Sequence, residues 1–498
     1  MKSFYFIPVF AVILTACSSS DHHNYTQVQV IQTSRQGDQL NETARLDLSA
    51  GSVSDAVEIR LDPAQTFQTL EGFGGSFTEA SAHVLKQLSA DKRDEVIRAY
   101  FSDQGSNYTL TRTHMNSCDF SLGSYSYAPV AGDTALEHFS VQEDKDDIIP
   151  LIKDAMAVSR DGFKLISSPW TAPPWMKTNE DWFGGSLKPE YYETWALFFA
   201  RYIRAYQQEG IPVWAVTVEN EPLGNDSNWE SMHYTPEEMR DFIKYHLGPQ
   251  FSNDNIDTRI MIFDQNRDHV QEWADVILSD SAAYGYTWGI AVHWYRSTVD
   301  WFPEALNAAH EQFPQKPLLN TEACIDAEIP VWRDDAWYWQ KNATDWGFEY
   351  ASEENKHLHP RYVPAFRYAR DIIGGLNSHL VGWVDWNLIL NDQGGPNHVQ
   401  NWCIAPVIAR PESNQVYYTP LYYVLAHFSR YMRPDARRIS AQCSHDDLMV
   451  TACINPDQRM AVQVFNPSES PVPFQVTLGD KRVSHEIPAA ALQTLLIH

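Results

Sequence analysis

Cysteine is scarce in this sequence, with six residues among 498. No CxxC pair and no His cluster with the spacing of a zinc site occurs, and we expect no metal or other cofactor. A chain of this length buries a sizeable core without covalent staples, so a disulfide scaffold is not needed. We therefore expect mostly buried thiols at the five positions that follow Cys17, which are Cys118, Cys324, Cys403, Cys443 and Cys453.

Basic residues are also underrepresented, because 37 Lys and Arg stand against 64 Asp and Glu, for a net charge of −27. A chain this acidic repels phosphate backbones, which excludes nucleic acid as an expected partner. A neutral substrate is not repelled. The hydrophobic fraction of 44% and the charged fraction of 20% are typical of a soluble globular protein.

The N-terminus carries an export signal. Lys2 precedes an apolar run at Phe4–Leu14, which is too short to span a bilayer as a mature helix. Small residues directly before Cys17 resemble a bacterial lipoprotein signal, and a plain signal peptide with an incidental cysteine fits them less well. We expect residues 1–16 to be removed, Cys17 to be lipidated, and the protein to be exported and anchored to the cell envelope. Ser18 after the cysteine indicates the outer membrane of a Gram-negative host.

Residues 17–50 are polar with few apolar anchors, which predicts a tether. Within residues 51–67, Val57–Leu61 alternates like a half-buried strand, and we expect it to join a later β domain. Residues 68–430 then alternate short apolar runs with helical patterns such as Ala82–Phe101, Tyr191–Glu209 and Thr235–Leu247. Strand alternating with helix predicts a parallel sheet, and eight repeats favour an α/β fold of the (β/α)₈ TIM barrel type. The eight runs are Thr69–Phe77, Tyr108–Asn116, Phe163–Thr171, Pro212–Glu221, Arg259–Gln265, Gly289–Tyr295, Pro317–Ala323 and Leu380–Asn387.

After residue 430 the pattern changes to short strands separated by turn signals. Residues 431–498 are therefore predicted to form a small antiparallel, sandwich-like β domain that includes the strand near Val57. The predicted strands are Arg438–Gln442, Leu448–Ile454, Met460–Phe465, Val472–Leu478 and Ala491–Ile497.

Two glutamates follow directly on apolar barrel runs. Glu221 ends the fourth run and Glu322 ends the seventh. The carboxyl ends of barrel strands meet at one mouth, where function gathers, so these two carboxylates are expected to face each other. A surface glutamate is the usual reading of a lone Glu, but burial at a strand end is costly without a role. Glycoside hydrolysis uses such a carboxylate pair.

These motifs and others in the same order resemble the glucosylceramidase family, the acid β-glucosidases of glycoside hydrolase family 30. The similarity covers roughly residues 68–430 and is weaker in the terminal β domain. It is carried by Glu71–Gly75, Ser117–Ser121, Ser168–Thr171, Trp214–Thr217, Glu219–Pro222, Ile290–Tyr295, Glu322–Cys324, Gly382–Trp383, Asp385–Asn387, Gly394–Asn397 and Asn401.

The resemblance implies a retaining β-glucosidase with Glu221 as acid/base, Glu322 as nucleophile and about 5–5.5 Å between their carboxyl groups. It implies a sugar pocket lined by Asp119, Trp170, Asn220, Trp386 and Asn401. Tyr295 is expected to hydrogen-bond the nucleophile, and Arg112 to hold a carboxylate ionised. For His293 a satisfied core position is the more common reading.

The loops that would contact the leaving group depart from the pattern of the lysosomal members. They include the stretch after Pro222, the tryptophan-rich segment Val331–Leu358, and His398 and Gln400 near the rim. The leaving group therefore stays open between a glycolipid such as glucosylceramide and a glucan, with endo-β-1,6-glucanase as the alternative activity. A xylan-cleaving enzyme and a catalytically silent sugar-binding protein fit less well, because Asp119 and both glutamates are present. The loop tryptophans fit sugar stacking and ordinary packing equally well.

Overall fold

The computed structural model describes residues 24–52, 56–224, 226, 228–326, 330–341, 356, 362–446 and 448–498. The signal segment 1–16, Cys17 and Trp346 lie outside these residues. The described part contains a closed eight-stranded parallel barrel and a separate ten-stranded sheet. The predicted fold class, a (β/α)₈ barrel with a β side domain, is confirmed.

The barrel strands follow one another around the ring in chain order. Each lies within or overlaps one of the eight apolar runs, and their interior is filled by side chains such as Leu110, Ile166 and Met261. Gly74 allows the first two strands to approach, since a Cβ there would lie 1.8 Å from the Leu110 carbonyl oxygen. The strands are Gly72–Phe77, Leu110–Met115, Lys164–Pro169, Ala215–Thr217, Arg259–Asn266, Thr287–His293, Leu318–Glu322 and Leu380–Asp385.

Helices connect the strands and cover the barrel. The single helix predicted over Ala82–Phe101 is wrong: the chain forms two helices, because Ser89 interrupts the first and caps the second by accepting from the Lys92 N–H. Thr235 and Glu238 form a capping box at the start of the helix Pro236–Phe242. No helix in the described part of the chain is long and apolar enough to cross a bilayer. The α-helices are Glu79–Gln87, Ala90–Phe101, Ile148–Val158, Tyr192–Gln208, Pro236–Phe242, Gly248–Asn253, Val270–Leu278, Ser281–Tyr286, Pro303–Gln312, Asp335–Tyr338, Pro364–Asn377 and Pro420–Ser429, and a π-helical turn spans Ile243–Leu247.

The polar tether predicted over residues 17–50 is wrong for most of its length. Strands form at Gln27–Ser34, Asn41–Asp47 and Ser49–Ala50, and the first of them pairs with the C-terminal strand Ala491–Ile497. Val28, Val30 and Ile31 are buried, and so are the polar residues that end the strand, Gln32, Thr33 and Ser34. The buried polar side chains have hydrogen-bond partners, such as Gln493 for Gln32 and His427 for Thr33, so a polar composition did not exclude a buried strand.

The N-terminal strand Val57–Thr69 joins the terminal β domain, as predicted. It pairs antiparallel with Arg437–Cys443 and parallel with Val472–Leu478. The prediction missed the strand Lys481–Ile487, in which only Val483 and Ile487 are buried. The ten strands run across the sheet in the order Asn41–Asp47, Gln27–Ser34, Ala491–Ile497, Met460–Asn466, Met449–Ile454, Arg437–Cys443, Val57–Thr69, Val472–Leu478, Lys481–Ile487 and Ser49–Ala50.

The segments that follow the seventh and eighth barrel strands form two small sheets. Ile325–Asp326 pairs antiparallel with Cys403–Ile404. A three-stranded sheet is formed by Ile389–Asn391, Val407–Arg410 and Gln415–Tyr418. These pairings hold the segments that follow Glu322 and Asp385 beside the barrel mouth.

Candidate active site

Glu221 and Glu322 lie at the carboxyl ends of the fourth and seventh barrel strands. Glu322 is the last residue of its strand and is buried, whereas Glu221 follows its strand with a φ of 50° and is partly exposed. One carboxylate oxygen of each, together with a ring nitrogen of His293, lies within 4.8 Å of the others. This spacing is compatible with the roughly 5–5.5 Å carboxyl separation of retaining glycosidases and too short for the wider inverting arrangement.

Both oxygens of Glu322 are held by hydrogen bonds. The Tyr295 hydroxyl donates to Oε1 at 2.8 Å, and Arg112 Nη1 donates to Oε2 at 3.0 Å. The two contacts predicted for the nucleophile are thus present. Burial raises the pKa of Glu322, and the positive charges of His293 and Arg112 oppose that rise. The carboxylate is therefore fixed in orientation and faces two cations.

Arg112 is fully buried on the second barrel strand, and its two terminal nitrogens donate hydrogen bonds to four carboxylate, amide or carbonyl groups of the site. Nη2 donates to Asn220 Oδ1 at 2.8 Å and to Asp264 Oδ2 at 2.7 Å. Nη1 donates to Glu322 and to the Thr321 carbonyl oxygen at 3.1 Å. The planar guanidinium fixes the amide of Asn220, which leaves the Asn220 NH₂ group as a donor for a sugar hydroxyl.

Asp264 is the charged partner that the sequence reasoning missed. It lies fully buried on the fifth barrel strand with a φ of 60°. Its Oδ1 accepts from the Thr321 hydroxyl at 2.5 Å and lies 2.8 Å from His293 Nε2, while Oδ2 accepts from Arg112. Burial would raise the pKa of Asp264, but Arg112 and His293 hold it well below its ordinary value. The available signal was an aspartate inside the apolar run Arg259–Gln265.

His293 lies between Asp264 and Glu221, not in a purely structural core position. Its Nε2 lies 2.8 Å from Asp264 Oδ1 and its Nδ1 lies 3.1 Å from Glu221 Oε1. Burial lowers the pKa of His293, but the charges of Asp264 and Glu322 and the two hydrogen bonds raise it to about 9. The imidazolium at neutral pH donates to both carboxylates, which links the acid/base candidate to the interior charge network.

The predicted sugar pocket residues meet beside this carboxylate pair. Trp170 and Trp386 stack with centroids 5.1 Å apart, and the Arg112 guanidinium lies over both rings. Asn401 Nδ2 donates to Asp119 Oδ2 at 2.8 Å. Burial raises the pKa of Asp119 to about 8, so at neutral pH its carboxyl is largely protonated and can both donate to and accept from sugar hydroxyls.

Comparison with known proteins identifies the family. Residues 70–432 match the Glycosyl hydrolase family 30 TIM-barrel domain, and residues 435–495 match the Glycosyl hydrolase family 30 beta sandwich domain. The chain belongs to glycosyl hydrolase family 30. It is therefore a glycoside hydrolase, and the resemblance found in the sequence is confirmed.

Three relatives illustrate the range of this family. Lysosomal acid glucosylceramidase of Mus musculus is 34% identical over 451 residues, which cover 88% of this chain and 83% of the mouse protein. Among solved structures, SrfJ from Salmonella typhimurium has 31% identity and a TM-score of 0.84, covering 94% of this chain and 99% of that one. The endo-β1,6-glucanase BT3312 has 28% identity and a TM-score of 0.79, with the same coverage.

A buried ion pair lies next to the sugar pocket of the family 30 enzyme. Glu230 is fully buried, accepts from Ser124 Oγ at 2.7 Å, and its Oε1 lies 3.2 Å from His398 Nε2. Burial lowers the pKa of His398, but the hydrogen bond and charge of Glu230 raise it above its ordinary value, which favours the protonated imidazole beside the Glu230 carboxylate. His398 is on the same loop as Asn401, and the pair therefore fixes the loop that holds Asp119.

The loop tryptophans that the structure describes are packed against protein. Trp339 is buried beside Phe366, and Trp332 contacts Tyr417 and the Arg410 guanidinium. Packing is thus the better interpretation for Trp332 and Trp339. Trp346, in the same loop, lies outside the described residues.

Replacing Glu230 by Gln is expected to raise KM for an aryl β-glucoside about 10-fold while changing kcat less than about 3-fold. The variant removes the charge that holds His398, at a cost on the order of 1–2 kcal/mol in sugar binding. Steady-state kinetics test this. The control is Asp94→Asn, since Asp94 forms an exposed pair with Arg98 on a helix outside the site and should leave both constants unchanged. An unchanged KM in Glu230→Gln contradicts the positioning role.

The raised pKa of His293 predicts a pH-dependent stability. A histidine whose pKa is about 9 in the folded protein and 6.5 when unfolded stabilises fully below pH 6.5 and loses this contribution as pH rises through 9. The pKa of Asp119 is raised from 3.8 to about 8, so this residue changes stability in the same direction, and stability falls as the pH rises. The His293 contribution is about 3 kcal/mol.

The melting temperature of the wild type is expected to fall as the pH rises from 6 to 10. The melting temperature of His293→Gln is expected to fall less steeply over the same range. An equal fall in both proteins would show that His293 is not the group that titrates. Glu238→Ala, at a partly exposed capping residue, supplies a control variant whose lower stability should not alter the steepness of the fall.

Proposed function

We propose that this family 30 enzyme hydrolyses β-D-glucosidic bonds by double displacement, with net retention of configuration. The observation that carries the proposal is the close pair of carboxylates, Glu221 and Glu322, beside the Asp119–Asn401 hydrogen bond. A paired aspartate and asparagine suit the adjacent hydroxyls of a hexopyranose, and the two tryptophans suit its apolar faces.

In the first step, Glu322 Oε attacks the anomeric carbon as the bond to the leaving oxygen breaks, and Glu221 transfers its proton to that oxygen. The product is a glucosyl ester of Glu322 and a free alcohol. Tyr295 and Arg112 orient the attacking carboxylate through the hydrogen bonds described above. Asn220 supplies the donor suited to the 2-hydroxyl, a contact that strengthens in the transition state.

In the second step, Glu221 acts as base and removes a proton from a water molecule that attacks the anomeric carbon. The ester bond breaks, glucose leaves with the β configuration, and both glutamates return to their starting states. His293 donates a hydrogen bond to Glu221 and thereby orients the carboxyl group through the whole cycle. No step requires a group other than the side chains of this chain and water.

Two leaving groups are supported by different similarities. The similarity to a glucosylceramidase supports a lipid glucoside and a role in sphingolipid breakdown. The structural similarity to an endo-β1,6-glucanase supports a β-1,6-linked glucan. Since Trp339 is buried and Trp332 packs against Tyr417 and Arg410, these tryptophans add no support for a glucan, and the glycolipid or another small β-glucoside is our first proposal and the glucan the second.

Export and lipid anchoring at Cys17 are part of the proposal, on the basis of the N-terminal sequence. The expected result is that wild-type protein expressed in a Gram-negative host incorporates radiolabelled palmitate and fractionates with the envelope. Cys17→Ala should lose the label. Equal labelling of both proteins would contradict anchoring at this residue.

Glucose release from glucosylceramide and from β-1,6-glucan, measured side by side with Glu322→Gln as the control, decides the substrate. Release from glucosylceramide that the variant lacks supports the first proposal, and release from the glucan supports the second. Glucose equivalents released as oligosaccharides rather than monomer indicate endo action. No activity on either substrate or on an aryl β-glucoside would overturn the β-glucosidase assignment.

A further inference from the structure

Two buried cysteines meet beside the nucleophile. The sulfurs of Cys324 and Cys403 lie 3.1 Å apart, and both side chains are almost completely buried. Among the five described cysteines, these two are the pair whose sulfurs are in contact. We propose that Cys324 and Cys403 form a disulfide bond in the exported enzyme.

The backbone already brings the two residues together. Cys324 directly precedes the strand Ile325–Asp326, which pairs antiparallel with Cys403–Ile404 in the register Ile325 to Ile404. A disulfide has an S–S bond of about 2.05 Å, so the sulfurs must approach by about a further 1 Å. Cys403 itself pairs with Asp326, so the two cysteines are diagonal neighbours across this ladder, and the gap closes by a small shift of both side chains and of the strand ends that carry them.

The bond forms by thiol–disulfide exchange with a disulfide oxidant, such as a disulfide-bearing oxidoreductase of the exported compartment. The thiolate of one cysteine attacks the oxidant and forms a mixed disulfide, which releases one thiol. The second cysteine then attacks the sulfur of the first and releases the other thiol. The two cysteines lose two electrons and two protons, and the oxidant is reduced by the same two electrons to a dithiol. Because the sulfurs are buried in the folded protein, exchange precedes closure of the barrel.

The bond would fix the segment that carries the catalytic nucleophile. Cys324 is two residues after Glu322, and its sulfur lies 3.6 Å from the Tyr295 hydroxyl that donates to Glu322. Cys403 is two residues after Asn401, the partner of Asp119. A link between them therefore joins the nucleophile side of the site to the sugar-binding loop, 79 positions apart in the chain.

The first experiment maps the thiols of the wild-type chain. Protein recovered from the envelope, or refolded in oxidised and reduced glutathione, is denatured, alkylated and digested for mass spectrometry. We expect a linked peptide that contains Cys324 and Cys403, with full alkylation at Cys118, Cys443 and Cys453. Complete alkylation of both Cys324 and Cys403 in both preparations would overturn the proposal. The refolded preparation does not depend on the proposed export, and neither preparation depends on the substrate.

The second experiment measures what the bond does. Wild type refolded in dithiothreitol is expected to melt about 5 °C below wild type refolded in oxidised and reduced glutathione without it, because a cross-link over a long loop restricts the unfolded chain. Cys403→Val should melt at the same temperature with and without reductant, whereas Cys453→Ser, a matched buried control, should keep the shift. A wild-type melting temperature that is insensitive to reductant overturns the proposal. If Cys403→Val does not fold, Cys324→Ser replaces it.

Discussion

Replacing Glu322 by Gln is expected to lower kcat on an aryl β-glucoside by at least about 10⁴-fold, the scale seen when a nucleophile is removed. The amide is nearly isosteric, so Tyr295 and Arg112 keep neighbours of the same shape, but it cannot attack the anomeric carbon. Steady-state kinetics provide the measurement, and circular dichroism shows that the variant remains folded.

The stereochemistry of azide rescue separates the two glutamates. In Glu322→Ala the space left by the carboxylate admits azide, which attacks from the nucleophile's side and should give the α-glucosyl azide. In Glu221→Ala, Glu322 still forms the glucosyl ester with a good leaving group, and azide then attacks from the opposite side and should give the β-glucosyl azide. Identical anomers from both variants, or an exchange of the two products, would contradict the assigned roles.

Replacing Asp264 by Asn is expected to lower kcat about 10²–10³-fold, although Asp264 is a positioning residue that does not touch the sugar. Arg112 Nη1 and His293 Nε2 lie 3.3 Å apart, and the Asp264 carboxylate between them compensates both charges. Without it, the buried Arg112 guanidinium keeps only one of its two carboxylate partners, Glu322, and the pKa of His293 falls because its main stabilising charge is gone. Glu221 and Glu322 are then no longer held in a fixed position relative to each other.

A pH profile distinguishes this mechanism from simple destabilisation. The wild type should keep a protonated His293 up to about pH 9. As the pH rises, the activity of Asp264→Asn should begin to fall at a lower pH than that of the wild type. Asp257→Asn provides the matched control, since Asp257 is exposed just before the same strand and should leave kcat and the profile unchanged. An unshifted profile with an unchanged kcat in Asp264→Asn would contradict the role given to the network.

The missed elements share a physical cause. Gln27–Ser34 is largely buried although most of its residues are Gln, Thr or Ser, and Lys481–Ile487 buries only Val483 and Ile487, so the polar composition of both segments indicated loops. The break at Ser89 within a continuous amphipathic pattern depends on one capping hydrogen bond, which helical periodicity does not reveal.

The pattern of apolar runs by itself determined the barrel and the positions of Glu221 and Glu322, because strand length, strand polarity and the carboxyl end of each strand are local properties. The charge state and orientation of the site were decided only by tertiary structure. Arg112, Asp264 and His293 come from three different strands, and each is defined by partners across the barrel. The contact of Cys324 with Cys403 is of the same kind. Burial and closeness in space set pKa values and bonding, and neither quantity is encoded in the spacing of residues along the chain.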